Sequence, residues 1–323
     1  MHMNSSIFFF TTSMIIGVMV CISSNNWIMM WLGLEISFMS FLPLMMSSNL
    51  LSSECMMKYF IIQSLSSSIL MLGMMLIMML NEKSSFIITI SLLLKIGMSP
   101  FHNWVLSIIE GLNYNSTFYL LTFMKISPLV IMSYISKIIW ISIILSLIVG
   151  AILGINQNSI RKMLGYSSIF NLGFICSCIS EMSLWLIYMI IYSFMLLNVI
   201  LMIYKLNISY FNQIMMNEYN LNMKISFWVM MLSFSGMPPM LGFMSKLMVF
   251  EFLVLKMYFF LLMIMILTSL IVMFYYTRST YMSMMMSSIS MKWNLISINY
   301  TSVYLVMINL LILTMLIFLK PLI

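Results

Sequence analysis

Long apolar runs separated by short polar stretches form the dominant pattern of this chain. A helix crosses a bilayer with about 20 apolar residues, and eleven runs come close to or exceed this length. They cover residues 4–23, 26–46, 57–80, 85–109, 117–136, 138–157, 160–180, 183–204, 224–252, 257–279 and 299–320. The runs are continuous, whereas the strands of a membrane β-barrel alternate apolar and polar positions. The pattern therefore predicts an all-α membrane protein with about 11 transmembrane helices in a single domain over residues 1–323.

The fourth and ninth runs each carry a helix-breaking signal within the span. Residues 97–100 read Gly-Met-Ser-Pro, and residues 236–239 read Gly-Met-Pro-Pro. Proline removes a backbone donor and clashes with the preceding turn, and a neighbouring glycine favours a break over a gentle bend. Helices 4 and 9 are therefore predicted to be discontinuous, with freed backbone groups that face protein or water. The residues that carry this prediction are Gly97, Pro100, Gly236, Pro238 and Pro239.

The two breaks lie five spans apart along the chain. An odd offset places two five-helix units in opposite orientations across the membrane. Inverted repeats with paired discontinuous helices are typical of proteins that move ions. We therefore expect repeat A at about 4–136, repeat B at about 138–279 and a final helix at about 299–320. Two unrelated proline kinks are the alternative explanation.

The composition points to the same class of protein and to a compartment. Only 7% of the residues are charged, against roughly 25% in soluble domains. The chain has 44 Met, a single Ala and no Asp, as expected from an A/T-rich gene read with AUA as methionine. Animal mitochondria use such a code, and the first ten residues show no basic presequence. We therefore expect a multi-pass protein of the mitochondrial inner membrane.

The basic residues outside the runs predict the orientation. The side that carries the N-terminus has Lys58, Arg161, Lys162, Lys205, Lys224, Arg278 and Lys292. The other side has Lys83, Lys137, Lys256 and Lys320. Seven basic residues on the N-terminal side, against four on the other side, favour an N-terminus in the matrix. The same residues explain the net charge of +7 without a nucleic-acid partner, because no basic cluster is longer than Arg161-Lys162.

Four ionisable residues lie well inside the predicted spans: Glu35, Lys95, Lys125 and Lys246. A charge at the centre of a bilayer costs at least about 2.5–3.5 kcal/mol, so these groups must pair, reach water or lose their charge. A buried lysine near a carboxylate can exchange a proton when the distance between them changes. We therefore expect Glu35 to control Lys95, and Lys125 and Lys246 to carry a proton onward. Snorkelling or an interhelical bridge is the structural alternative for any one of them.

Several neighbouring residues are candidates for supporting roles. His102 either lines the same polar pocket or hydrogen-bonds the broken backbone. Polar residues that can order water are Tyr166, Ser167, Ser168, Asn171, Ser233 and Ser235. The two histidines, His2 and His102, do not suit a bis-histidine haem, and the four cysteines have no cluster-binding spacing. We expect buried apolar thiols and no cofactor or metal in this chain.

Five segments together resemble a known family. They are WLGLEISFMSFLPLM (31–45), LLLKIGMSPFHNWV (92–105), TFMKISPLV (122–130), QNSIRKMLGYSSIFNLGF (157–174) and FSGMPPMLGFMSKLMV (234–249). In order and spacing they resemble the subunit 2 family of mitochondrial NADH dehydrogenase (respiratory complex I), one of the antiporter-like families. The methionine-rich composition resembles insect or other arthropod members.

The resemblance implies a core membrane-arm subunit that couples NADH-to-ubiquinone electron transfer to proton translocation. By matching motifs, Glu35 is the family's glutamate, Lys95 the broken-helix lysine, Lys125 the bridging lysine and Lys246 the exit-side lysine. FMN, iron–sulfur clusters and ubiquinone are then expected in partner subunits. The expected neighbours are subunits 4 and 4L and membrane lipids.

The chain departs from the family at two positions. Asn171 stands where relatives usually have a histidine, and Ser235 replaces the first glycine of the second break. Because an amide cannot titrate, any proton step there must pass to water or to Lys125. Two other functions stay open: a cation/proton antiporter subunit, weakened because Glu35 is the single carboxylate well inside a span, and a structural scaffold without a proton path.

Overall fold

The computed structural model describes residues 5–47, 49–80, 85–135, 139–216, 221–287 and 306, and its regular secondary structure there is helical. The helices are α1 (Ser5–Ser23), α2 (Trp27–Met45), α3 (Leu50–Leu80), α4 (Ser85–Ile96), α5 (Asn103–Ile109), α6 (Tyr114–Leu121), α7 (Phe123–Ile135), α8 (Trp140–Ile152), α9 (Ile160–Ser177), α10 (Met182–Leu206), α11 (Phe211–Met216), α12 (Leu221–Ser235), α13 (Leu241–Leu255) and α14 (Phe259–Ser287). An isolated β-bridge joins Ser159 to Tyr210. The all-helical membrane fold predicted from the apolar runs is confirmed.

Six stretches of the described chain are long and apolar enough to cross a membrane. They are Ser5–Ser23, Trp27–Met45, Leu50–Ile77, Tyr114–Ile135, Met182–Leu206 and Phe259–Tyr281. Shorter apolar helices include Ser85–Ile96, Trp140–Ile152 and Met223–Ser235. The runs at 4–23, 26–46 and 183–204 match their helices closely. The predicted helix at 299–320 lies outside the described residues apart from Val306.

The structure differs from the predicted spans at the start of α3 and at Lys224. Helix α3 begins at Leu50 rather than near residue 57, because an ion pair of 2.5 Å between Lys58 and Glu54 supports an exposed turn beyond the apolar run. The run at 117–136 matches the apolar stretch Tyr114–Ile135. Within it the helix has a local interruption at Thr122, whose hydroxyl bonds back to the carbonyl of Phe118 at 2.7 Å. The predicted loop residue Lys224 lies within α12, and its side chain is buried.

The chain forms two compact units, Met1–Ser142 and Ile143–Ile323. In the first unit α1 packs along α2, α3 packs against α4, and α7 contacts α1, α2 and α4. In the second unit α10 packs against α9, α12 and α13, while α12 also contacts α14. The large, fully buried side chains of the second unit include Trp185, Tyr276 and Phe227. Each unit therefore has an apolar core of its own.

Many serine hydroxyls inside these apolar helices are satisfied within the same helix. The hydroxyls of Ser167, Ser168, Ser233 and Ser235 donate to the carbonyls three residues earlier, of Leu164, Gly165, Met230 and Leu232. This bonding explains how so many serines occur in spans that offer no water to their donors. It also means that these four hydroxyls can act toward a neighbouring water mainly as acceptors.

The helices break where the Gly–Pro motifs predict. Helix α4 ends at Ile96 and α5 begins at Asn103, while α12 ends at Ser235 and α13 begins at Leu241. The first residue after each broken end is a glycine with positive φ, 72° at Gly97 and 82° at Gly236. Glycine is the residue that adopts this left-handed conformation without a steric penalty.

The two breaks share their backbone bonding as well as their sequence. The amide of Met98 donates to the carbonyl of Leu93 at 3.2 Å, and that of Met237 donates to Leu232 at 3.3 Å. Both contacts are the long closing bond of a Schellman-type helix end. The Ser99-Pro100 and Pro238-Pro239 peptide bonds are both cis. The two breaks therefore have the same local backbone structure.

Candidate functional site

Lys95 lies in the last turn of α4, directly before the first break, and is 6% exposed. The last carbonyls of a helix lack partners within that helix, and here two side chains supply them. The Gln63 amide donates to the carbonyl of Lys95 at 3.2 Å. The Trp104 indole donates to the carbonyl of Leu94 at 3.0 Å. Neutral donors from α3 and α5 therefore hold the broken end that presents Lys95.

A cavity of about 20 Å³ lies between Lys95 and Lys125, the latter only 3% exposed. Its polar lining also includes Gln63, Tyr59 and Ser127. Within the described part of the chain, the hydroxyls of Tyr59 and Ser127 are buried and make no hydrogen bond. A volume of this size holds about one water when two to four polar partners surround it. The two buried lysines therefore share a space that suits an ordered water.

Helix α7 places Lys125 beside this cavity through a proline-containing turn. Pro128 lines the cavity and cannot donate to the carbonyl of Met124, which lines it too. The carbonyl of Ser127 instead accepts a contact of 3.7 Å from the thiol of Cys21 on α1. The proline therefore leaves the carbonyl of Met124, next to Lys125, without the amide donor that another residue at position 128 would provide.

Glu35, on α2, is half-buried and interacts electrostatically with Lys95 and with Tyr59. Its Oε1 atom is buried without a hydrogen bond in the described structure. Across the residues that the structure describes, no ion pair of 4.0 Å or less joins Glu35 to Lys95. The predicted pair is thus close enough to interact through space, and its members make no direct contact.

Lys246 lies at the second break, on α13 of the second unit, and is 5% exposed. Its Nζ donates to the carbonyl of Ser235, the last residue of α12, at 2.6 Å. A positive charge there also complements the C-terminal end of the helix dipole. The same Nζ lies 5.4 Å from the centre of the Phe170 ring. Lys246 therefore closes the broken end of α12 directly.

A second cavity of about 20 Å³ borders Lys246. Asn171, Tyr192 and Ser245 provide its other polar lining. The Tyr188 hydroxyl donates to Oδ1 of Asn171 at 2.9 Å, so the amide that replaces the family histidine is held by a tyrosine. A water-sized polar space therefore joins Lys246 to Asn171 within one unit.

His102 contacts the backbone of the broken helix, which is one of the two roles that its sequence position suggested. One of its ring nitrogens lies 3.2 Å from the carbonyl of Pro100. The cavity between Lys95 and Lys125 is not lined by His102. The imidazole is thus in contact with the broken backbone.

Sequence reasoning missed four residues that shape these sites: Gln63, Tyr59, Trp104 and Tyr188. Gln63 had a usable signal, because it is the single amide in the run at 57–80. The three aromatic residues had no usable signal in the sequence, because tyrosine and tryptophan occur throughout the apolar runs. Lys246 belongs to the second unit, so its connection with Lys125 stays a prediction.

The described residues contain no group of three or more His, Cys, Asp or Glu side chains that could hold a metal ion. The four cysteines lie among the described residues, where they are buried and form no disulfide bond. Their placement agrees with the apolar role expected for them.

Comparison with known proteins identifies several relatives. The family model "NADH:quinone oxidoreductase/Mrp antiporter, TM" matches residues 24–87 and 78–272. A protein of Anopheles gambiae described as NADH-ubiquinone oxidoreductase chain 2 is 39% identical over 260 residues, covering 75% of each chain. The Aedes aegypti protein of that description is 39% identical over 268 residues, covering 78% of this chain and 77% of the relative. The Locusta migratoria protein is 36% identical over 269 residues, with 79% and 78% covered.

Solved structures share the fold at low sequence identity. A chain of respiratory complex I from Thermus thermophilus superposes with a TM-score of 0.80 at 17% identity, covering 96% of this chain and 78% of that one. A chain of an archaeal membrane-bound sulfane sulfur reductase gives a TM-score of 0.77 at 16% identity, with 98% and 72% covered. A chain of the Mrp complex from Dietzia sp. gives 0.73 at 13% identity, with 83% and 58% covered.

Proposed function

Because this chain belongs to the NADH-ubiquinone oxidoreductase chain 2 family, and is thus a membrane-arm subunit of NADH:ubiquinone oxidoreductase, we propose that it translocates protons through its own buried lysines. The resemblance found in the sequence motifs is thereby confirmed. The proposed path comprises Glu35, Lys95, Lys125 and Lys246 in the mitochondrial inner membrane. Electron transfer elsewhere in the complex provides the driving force.

The observation that carries the proposal is the cavity shared by Lys95 and Lys125. A proton moves between two groups that are in hydrogen-bond reach directly or through one water. This cavity has room for about one water, and it offers the unbonded hydroxyls of Tyr59 and Ser127 as further partners. A water there would connect the amines of Lys95 and Lys125.

In this proposal the carboxylate of Glu35 acts on Lys95 through its electric field and without direct contact. The carboxylate interacts with Lys95 electrostatically and makes no ion pair with it. The energy of such an interaction varies with distance when water is excluded. A small displacement of α2 would therefore change how firmly Lys95 holds its proton. This is the step at which a conformational change elsewhere in the complex would enter the chain.

The matched breaks support the proposed architecture. Eleven helices would form two inverted five-helix repeats, with discontinuous helices 4 and 9, followed by a final helix. The N-terminus would lie in the matrix, and subunits 4 and 4L would be the neighbours. FMN, iron–sulfur clusters and ubiquinone would be bound by partner subunits.

The test replaces each lysine of the cavity by methionine in the assembled complex. We expect Lys95→Met and Lys125→Met to lower the number of protons moved per NADH oxidised, because each removes an amine that borders the shared cavity. The matched control is Lys58→Met, at an exposed lysine on α3. A pH-sensitive dye in sealed vesicles measures transport, and NADH absorbance measures electron transfer.

The outcomes separate the proposal from its alternatives. Wild-type transport in both cavity variants, with assembly intact, would favour a structural scaffold. Transport that requires Na⁺ and stops in K⁺ medium would favour cation exchange. Loss of transport in the Lys58→Met control would show that removing any lysine charge disturbs the complex, and the proposal would lose its support.

A further inference from the structure

A large cavity opens at one end of the second unit, away from Lys246 and Asn171. It has a volume of about 520 Å³ and lies where α10 begins and α13 ends. Cavities of roughly 300–1,000 Å³ hold small organic ligands. Its lining is formed by Glu181, Ser183, Leu184, Met248, Glu251, Phe252, Leu255 and Lys256. Charged and apolar groups therefore border one space at the end of a membrane-spanning helix.

The charged part of the lining is organised by the two helix ends. Glu181 is the N-cap residue of α10, and Lys256 is the C-cap residue of α13. Their side chains form an ion pair at 3.6 Å, and both are about half exposed, at 47% and 49%. Each charge complements the dipole of its own helix. The pair therefore joins the two helix ends at the cavity.

The lining carries more negative than positive charge. Glu181 and Glu251 contribute two carboxylates, against the single ammonium of Lys256. A ligand that is only anionic would meet two like charges and one opposite charge. A ligand that carries both an ammonium and a phosphate finds a partner for each group. Carboxylates accept charge-assisted hydrogen bonds from a primary ammonium, which a quaternary ammonium cannot donate.

Exposed apolar side chains neighbour the lining residues along the sequence. Leu255 is 81% exposed, and Phe260, near the start of α14, is 73% exposed. Met182 at the start of α10 is also exposed, at 42%. Exposed apolar side chains at the ends of membrane-spanning helices are suited to contact with the hydrocarbon chains of a lipid. The charged cavity and the adjoining apolar surface match the two ends of one lipid molecule.

We propose that this cavity binds the headgroup of a phospholipid with a primary ammonium group. The ammonium is recognised by Glu181 and Glu251, and the phosphate by Lys256. The acyl chains extend along the apolar surface that includes Leu255 and Phe260. The site is separate from the buried lysines, so it holds whether or not they carry protons.

The experiment uses the whole complex in nanodiscs of phosphatidylcholine that contain a trace of one photoactivatable lipid. The probes are analogues of phosphatidylethanolamine, phosphatidylcholine and phosphatidylglycerol. We expect the ethanolamine probe to label residues 181–184 or 248–256 about fivefold more than either other probe. This factor corresponds to the binding free energy that one partly exposed charge pair contributes. Mass spectrometry of the cross-linked peptides measures the labelling.

Two variants sharpen the test. Glu181→Gln and Glu251→Gln should each reduce labelling by the ethanolamine probe toward that of the choline probe. The second variant leaves the Glu181–Lys256 pair intact, which guards against a folding defect in the first. The matched control is Glu54→Gln, at the exposed ion pair of α3. Equal labelling by all three probes, or no labelling because another subunit covers these residues, would overturn the proposal.

Discussion

At the scale of single residues, some buried polar groups have a specific partner, whereas the hydroxyls of Tyr59 and Ser127 make no hydrogen bond in the described structure. Gln63 satisfies the carbonyl of Lys95, and Tyr188 satisfies Asn171. The burial of Lys95 and Lys125 follows from their position in apolar runs. The contacts of these two lysines cannot be read from the apolar runs, because they depend on which helices pack against one another. Asn171 shows the difference: its departure from the family is readable in the sequence, whereas its tyrosine donor is not.

Asn171 provides a direct test of how this chain works without the family histidine. We expect Asn171→His to keep proton transport near the wild-type level, because imidazole offers Tyr188 an acceptor. Asn171→Leu should reduce transport and destabilise the unit by about 1–3 kcal/mol, since it leaves a buried hydroxyl unpaired. Protons moved per NADH and the thermal unfolding of the complex report the two effects. Wild-type transport in a destabilised Asn171→Leu complex would assign the amide a structural role alone.

At the scale of elements, the sequence predicts where helices break better than where they begin. Gly97 and Gly236 mark the breaks because a positive φ strongly favours this residue type. The start of α3 and the interruption at Thr122 depend instead on exposed ion pairing and on a side-chain bond to the backbone. Neither effect changes the apolar pattern, so hydropathy alone cannot reveal it.

The two glycines should respond unequally to alanine. Both changes carry the left-handed penalty of about 1–2 kcal/mol. At Gly97 the new methyl group would also collide with Val105 and approach Trp104, which packs in the core. At Gly236 the nearest atom is the flexible end of Lys246, 2.8 Å away, which can move.

We therefore expect Gly97→Ala to lower the unfolding temperature of the complex more than Gly236→Ala does. Gly236→Ala should instead affect transport, because it displaces Lys246 from Ser235. Ser68→Ala, at an exposed position on α3, is the control for a small change within a helix. A larger thermal effect at Gly236 than at Gly97 would contradict this account of the two breaks.

At the scale of the molecule, family and fold are readable from the sequence, while the membrane orientation stays a prediction. The distribution of lysine and arginine predicts an N-terminus in the matrix. A short epitope inserted at residues 81–84 should therefore be reachable from the intermembrane space once the outer membrane is removed. An epitope at 156–159 should become reachable only when the inner membrane is opened. The reverse accessibility would invert the whole assignment.

The two breaks are closed by chemically different donors, and this difference has a dynamic consequence. Gln63 and Trp104 cannot change their charge, so the hydrogen bonds that hold the end of α4 do not depend on the protonation of Lys95. The end of α12 is held by Lys246 itself. Protonation of Lys246 and the geometry of this helix end are thus linked, and each biases the other by the same free energy. The helix end beside Lys95 therefore keeps its geometry when Lys95 gains or loses a proton. The geometry of the helix end beside Lys246 depends on the protonation of Lys246.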